Sequence, residues 1–250
     1  MDIVFFSGSI SIKNLPDRIK ESLNQIKENG QFKIIVGDAS GFDILLQEYC
    51  KLINFLDVTV YTIYEKPRNI VEGLRWVTVD SPESLKSERK KQTFKDRKMS
   101  EDSDISYVIW DEKSKGSYNN ILRAIESNKK VRVFSVKKNS ALTSISKELV
   151  TKIYQDSNGL TTSDVLDQLF NNGIKEFANA KELNQYLLDN NFVSQDIISG
   201  KKVYKTSSDL YSTDIVHRGK HSGVKFKYHV VTTLISKFKV SKSNYGSMRG

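Results

Sequence analysis

The sequence predicts an α/β protein: a parallel sheet with helices on both faces, followed by a small C-terminal α+β domain. Three observations predict this. Apolar runs of strand length alternate with helix-period segments from Ile3 to Val136, as in sheets whose parallel strands are joined by crossover helices. The run Ile105–Trp110 is short and mainly apolar, which suits a strand covered on both faces. From about Thr143 the alternation gives way to a helical connector, then to two short amphipathic helices and paired strand-like runs.

Taken in order, Ile3–Phe6 is the first strand and runs into Ser7-Gly8-Ser9. Asp17–Asn29 carries Ile19, Leu23 and Ile26 at helical spacing, and Gly30 just past its end is a stop signal. Phe32–Val36 is the second strand, leading into Gly37-Asp38-Ala39-Ser40-Gly41. Asp43–Leu56 is helical, with Ile44, Leu45, Tyr49, Leu52 and Ile53 as its buried stripe. Val58–Ile63 is the third strand and Thr93–Glu101 a short helix. After Ile105–Trp110 comes a small polar loop, then a helix starting near Tyr118 with Asn119–Asn128 as its body. Lys130–Val136 is the last strand of the sheet.

Glu65–Lys91 differs from its surroundings. It is charged, punctuated by Pro67 and Pro82, and long for a connection in a compact domain. Two readings stand for it, a flap over a ligand site and a plain insertion.

Asn158-Gly159 marks a boundary. Beyond it, Thr162–Asn171 and Ala180–Asn190 are helices, and Phe192–Ile198 pairs with Lys201–Thr206 around Ser199-Gly200. Lys225–Val231 is a further strand-like run leading to helical Thr232–Lys239, and 241–250 reads as a frayed tail. The expected plan is therefore a sheet domain over 1–140, a connector over 141–158 and a basic domain over 159–240. Two short helices before a small hairpin suit a winged-helix-like module, whose second helix enters a groove while the wing lies on phosphates. A small dimerisation or lid domain fits the same pattern.

At 250 residues the chain has room for one large or two modest domains. No segment approaches the roughly 20 apolar residues of a membrane span. The start, Met1-Asp2-Ile3-Val4, carries an acid where a secretory signal carries a basic region. The single Cys50 excludes an internal disulfide, fits a reducing compartment and sits at helical spacing as buried packing. A cytoplasmic protein without membrane contact is expected. The net charge of +9 is concentrated: residues 197–250 hold 11 Lys and Arg against 2 Asp and Glu. Such a concentrated basic segment suits a nucleic-acid partner, and on composition alone a purely solubilising role fits equally well. His217, His221 and His229 with one Cys make no metal-ligand spacing, so no metal site and no resident cofactor are expected.

Three strand ends carry residues suited to a ligand. In Ser7-Gly8-Ser9, glycine permits close backbone approach and the serines offer hydrogen bonds; an ordinary turn would look the same. In Gly37-Asp38-Ala39-Ser40-Gly41-Phe42-Asp43 two glycines frame a loop. Asp43 stands at a helix start, where a structural N-cap and a ligand contact are both open, and Asp38 is placed for a ribose hydroxyl. Ser114-Lys115-Gly116-Ser117 is the best phosphate candidate, a small-residue loop opening a helix. Such loops on successive strand ends meet at one edge of a sheet, where α/β proteins bind ligands. Arg97 is a candidate for bidentate phosphate pairing, or else part of a solvated basic face with Lys90, Lys91, Lys95 and Lys98. Trp110 and Tyr118 are candidates for base stacking, with core packing the alternative for Trp110.

In their order and spacing, Gly8-Ser9, Gly37-Asp38-Ala39-Ser40-Gly41-Phe42-Asp43, Arg97-Lys98-Met99 and Ser114-Lys115-Gly116-Ser117 resemble the SLOG superfamily, most closely its YspA-like branch. The resemblance covers roughly residues 1–137 and implies a Rossmann-like fold that binds a nucleotide or a nucleotide-derived signal. The family's usual Arg two residues after the first Gly is Ile10 here, and its usual Arg-Asn is Arg97-Lys98. A related branch, the LOG-like phosphoribohydrolases, carries a catalytic Glu three residues after the Thr of its glycine-rich loop. Asn120 stands at that position and can neither stabilise an oxocarbenium-like centre nor activate water. This departure moves the reading from enzyme toward binder, leaving Asp38, Asp43 and Asp111 as carboxylates available for catalysis.

The C-terminal part more loosely resembles the KilA-C-type domains of phage antirepressors. Thr161-Thr162-Ser163-Asp164-Val165, Ala180–Leu187 and Tyr228-His229-Val230-Val231-Thr232-Thr233 carry that likeness over about 80 residues. It implies DNA contact by Lys201, Lys202, Lys205, Arg218 and Lys220. The expectation is a two-domain, homo-oligomeric regulator in which a nucleotide or cyclic nucleotide ligand alters DNA binding. A nucleotide-cleaving enzyme and a plain sequestering protein for a nucleotide signal are the alternatives.

Overall fold

β1 (Asp2–Gly8) lies at the centre of a seven-stranded sheet in the computed structural model, which describes residues 1–217 and 219–246. On one side of it run β2 (Phe32–Val36), β3 (Val58–Thr62) and β4 (Arg75–Thr78). On the other run β5 (Ile105–Trp110), β6 (Lys130–Ser135) and β7 (Ser140–Ala141). Every neighbouring pair is parallel except β6 with β7, which is antiparallel. The chain steps outward from β1 to β4 and then crosses back to β5, so the strand order switches direction beside β1. Ligands of open α/β sheets sit outside the carboxyl ends of the strands at such a switch.

Alternating side chains of each strand point to opposite faces. Val4, Phe6 and Ile34 face α1 (Asp17–Asn29) and α2 (Phe42–Leu52), which bury Ile19, Leu23, Phe42 and Leu46 against them. Phe5 and Ile35 face the other way, toward Met99 of α3 (Glu88–Glu101), and α4 (Lys115–Glu126) packs beside α3. Phe5, Phe6 and Met99 are at most 2% exposed, and burying each contributes about 1.5–3 kcal/mol. Cys50 is buried, and burial pushes its thiol up to about 12. Trp110 is fully buried, so it is core and presents no face for a base to stack on.

Helix starts differ most from the sequence reading, because caps decide them and hydrophobic spacing does not. α3 begins five residues before Thr93, where the Ser87 side chain accepts a hydrogen bond from Lys90 N; its first turns are charged and show no apolar stripe. α4 begins at Lys115, ahead of both Tyr118 and Asn119, because Ser114 caps it by accepting from Ser117 N. The helix expected through Leu56 ends at Leu52, where Asn54 turns the chain with a positive φ of 54° so that Phe55 is buried. Glu65–Lys91 is more than a flap or an insertion, since it supplies the parallel edge strand β4. β6 is not the last strand, since β7 returns against it.

The chain divides into two units, residues 1–153 and residues from Tyr154 on, and α5 (Lys147–Asn158) runs through the division. In the second unit α6 (Thr162–Asn171) opens with a capping box between Thr161 and Asp164, and α7 (Ala180–Asp189) is capped by Asn179. The hairpin of β8 (Val193–Ile198) and β9 (Lys201–Thr206) turns through Ser199 and Gly200, both at positive φ, as two-residue hairpin turns require. A second hairpin, β10 (Ser212–His217) with β11 (Lys220–Phe226), was not foreseen. The run expected as a strand over Lys225–Val231 splits, because Phe226 ends β11 and Tyr228 opens α8 (Tyr228–Gly246). That helix continues past residue 240, where a frayed tail was expected; 247–250 lie outside the described residues. Leu160, Leu169, Leu183, Leu187, Phe226 and Leu234 form this unit's own core.

Candidate ligand-binding site

The loops after β1, β2 and β5 meet at the carboxyl edge of the sheet and enclose a cavity of about 300 Å³. Its volume is at the lower end for small-molecule sites. Ser7 and Gly8 line it from β1, Gly37 and Ala39 from the loop after β2, and Ser114, Gly116 and Ser117 from the start of α4. α3 closes one side with Gln92, Lys95, Asp96 and Met99, whose spacing places them on one helical face. Arg68, from the segment before β4, reaches the cavity wall.

Serines and one aspartate bind the two loops flanking the switch. Asp111 N donates to Ser9 Oγ at 3.2 Å, and Ser9 Oγ lies 3.4 Å from Ser117 Oγ. Asp111 in turn accepts from Ser11 Oγ at 2.6 Å and from Ser114 N at 2.7 Å. Burial alone would raise the Asp111 carboxyl, but these donors hold it below the usual carboxylate range. Trp110 Nε1 donates to Ser114 O at 3.2 Å, fixing the loop from within the core.

Two glycines are explained by close approach. A Cβ on Gly8 would stand 2.3 Å from the Phe42 ring. Gly41, at φ +79°, has the Ile10 carbonyl oxygen 2.4 Å from the same imagined atom, so no other residue fits there without strain.

Asp38 is fully buried and fully engaged. It accepts from Thr62 Oγ1 at 2.8 Å and from Arg68 NH2 at 2.8 Å, with Arg68 Nε and N at 3.3 and 3.2 Å. Burial would raise its carboxyl, yet the Arg68 and Thr62 hydrogen bonds outweigh burial and hold it low. Asn69 Nδ2 donates to the Asp38 carbonyl at 2.9 Å, and Val71 N donates to Gln47 Oε1 at 3.0 Å. These bonds strap the start of the 65–91 segment to the β2–α2 loop and to α2.

Asp43 does line the cavity, 8% exposed. It is not the side-chain N-cap of α2; that position is Gly41, and Asp43 Oδ2 instead accepts from Ala39 N at 3.1 Å. Burial pushes its carboxyl up to about 7, against the opposing pull of the Lys95 ammonium. A Cβ on Gly37 would stand 2.5 Å from Asp43 Oδ2 and 3.0 Å from Lys95 Nζ, so glycine there leaves these two groups room.

Of the residues singled out in the sequence, Ser7, Gly8, Gly37, Asp43, Ser114, Gly116 and Ser117 come together on the cavity wall. Ser9, Asp38, Gly41 and Asp111 lie behind it and build the loops. Lys115 is exposed and does not line it. Arg97 faces a different cavity of about 450 Å³ between α3 and α4, with Ser100, Asn119 and Arg123. Lys95, expected on a solvated basic face, is 3% exposed. Arg68, Gln92, Lys95 and Asp96 were missed as site residues. The signal for three of them is the Met99 position, from which i−3, i−4 and i−7 give Asp96, Lys95 and Gln92 on the buried side of α3. Asn120 lines the cavity and accepts from Arg123 NH1 at 2.7 Å.

In the second unit Lys201, Lys202 and Lys220 are exposed on β9 and β11. Lys201 and Lys205 share one face of β9 and Lys202 takes the other. Lys205 Nζ is 2.7 Å from Asp196 Oδ2, and Arg218 lies outside the described residues. No helix among the described residues is long and apolar enough to cross a membrane. Comparison with protein-family models and with curated proteins returns no match for this chain.

Proposed function

We propose that the first unit is a nucleotide-binding module, taking a nucleotide, cyclic nucleotide or nucleotide-derived signal in the cavity at the strand switch. The observation that carries this reading is the cavity itself: loops from three strand ends converge there, and Ser7 Oγ on its wall is buried with no hydrogen-bond partner. Buried polar atoms are rarely left unpaired, and a ligand would satisfy this one. The resemblance of the loop motifs to SLOG proteins supports the same reading.

The basic second unit is the nucleic-acid partner in this proposal, with Lys201, Lys202 and Lys220 on phosphates, and the protein acts as a cytoplasmic, ligand-responsive regulator. Linkage then requires that DNA change the affinity for ligand by the same factor as ligand changes the affinity for DNA. Mass spectrometry of small molecules released by heat from the purified protein tests the first half. An intact nucleotide supports it. A stoichiometric ligand of another class contradicts it.

One observation favours a second reading, cleavage of an N-glycosidic or phosphate bond. Asp43 lines the cavity with its carboxyl pushed up to about 7, the range suited to a general acid. Asp38 and Asp111 carry no such role in it, since their oxygens are engaged behind the wall. Turnover of nucleoside monophosphates, lost in Asp43→Asn, would establish the enzyme.

A further inference from the structure

On the α3 side of the cavity a buried ammonium lies near a hydroxyl that lacks a hydrogen-bond partner. Lys95 is 3% exposed, yet its ammonium makes no hydrogen bond among the described residues. Its nearest carboxylate oxygens are Asp96 Oδ1 at 3.5 Å and Asp38 Oδ1 at 3.8 Å. An ammonium carries three N–H donors, and burying them without hydrogen bonds is costly even where ion pairs are present. Ser7 stands at the end of β1, on the sheet face that α3 covers, 7% exposed with its hydroxyl unpartnered. Gln92, on the same face of α3 as Lys95, lines the cavity beside it. Across the cavity lies the first turn of α4, where Gly116 leaves open space and the helix dipole favours negative charge.

The Ser7 hydroxyl, the Lys95 ammonium and a helix N-terminus around one cavity call for a ligand that brings several acceptors and negative charge. Of the carboxylates nearby, Asp38 is taken up by Arg68 and Thr62 and Asp43 accepts from Ala39 N, while Asp96 pairs with Lys95 only at 3.5 Å, longer than a charge-assisted hydrogen bond. We propose that Lys95 and Ser7 form the anion-binding end of the cavity and hold a phosphate group of the ligand, an assignment that rests on the nucleotide-binding reading above. Lys95 thus takes the part that the sequence suggested for Arg97, which α3 turns toward a different surface.

The test is calorimetric titration of the full-length protein with inorganic phosphate, with the common nucleoside monophosphates and with the matching nucleosides. The variants are Ser7→Ala and Lys95→Met, with the exposed Lys90→Ala as control. Inorganic phosphate and at least one monophosphate are expected to bind wild type. Lys95→Met should weaken both by about tenfold or more, and Ser7→Ala by about three- to tenfold, as for loss of charge-assisted and neutral hydrogen bonds. The nucleoside should be unaffected by either change. Ser7→Ala removes only an unpaired hydroxyl, so the fold survives it and it decides the matter even if Lys95→Met fails to fold. Equal phosphate affinity in wild type and Ser7→Ala overturns the assignment, as does a nucleoside that binds as tightly as its monophosphate; the nucleotide-binding reading then stands. If no phosphate, monophosphate or nucleoside binds wild type, both fall.

Discussion

Asp38 and Arg68, thirty positions apart, meet at 2.8 Å behind the wall of the cavity. The carboxylate has no exposed surface, while the guanidinium is 39% exposed and stands over the Tyr64 ring at 5.5 Å. One side chain thereby binds the loop after β2 to the segment before β4.

Arg68→Ala should therefore destabilise the first unit. Removing one partner of a buried pair costs about 3–5 kcal/mol. The partial exposure of Arg68 reduces that to about 2 kcal/mol. Urea unfolding followed by tryptophan fluorescence reads this unit alone, because Trp76 and Trp110 both lie in it. An unchanged midpoint would show that the 65–71 segment is held by its other bonds.

Asp43 makes stability fall as pH rises. Its carboxyl goes from 3.8 in the unfolded chain to about 7 in the fold, mainly through burial and despite Lys95, with Asp96 and Asp38 adding to the rise. The folded chain thus binds the proton more tightly, and the stability this confers below pH 4 is lost as pH climbs toward 7. Asp43→Asn should remove that loss, gaining about 2–4 kcal/mol on wild type between pH 4 and pH 8. Parallel unfolding curves at the two pH values check it, and an equal gain at both would count against the titration.

Gly41 and Gly116 should respond oppositely to alanine. Gly41→Ala meets the Ile10 backbone at positive φ and should cost about 2–3 kcal/mol or more. Gly116→Ala meets nothing within 4 Å at the start of α4 and should stabilise by about 0.5–1 kcal/mol. Thermal melts of the two variants decide both signs.

The sheet was legible because parallel strands buried on both faces leave continuous apolar runs, such as Val4-Phe5-Phe6 and Ile34-Ile35-Val36. The three loops were legible because glycine and serine cluster at tight turns. What could not be read is what long-range contacts impose. Arg68 finds Asp38 only because β4 returns beside β3. The rotation of α3 that buries Lys95 and exposes Arg97 depends on Met99 packing with Phe5, in a helix whose other residues are almost all polar. The hairpin β10–β11 was hidden because Ser212–His217 mixes polar and apolar residues without a buried alternation.

For the basic unit, Lys201→Ala, Lys202→Ala and Lys220→Ala should each weaken duplex DNA binding and lower its salt dependence by about one unit of slope. Lys205→Ala should do less, since its ammonium is already paired with Asp196. Fluorescence anisotropy at several salt concentrations measures this. Wild-type protein that shows no salt-dependent binding would refute the nucleic-acid role.

The most direct measurement of the central claim is an amide NMR titration of the full-length, isotope-labelled protein with a nucleoside monophosphate. The expected result is saturable shifts gathered at Ser7, Gly8, Gly37, Gly116 and Ser117, around the cavity at the strand switch. Shifts gathered elsewhere, or none at saturating ligand, would contradict the account.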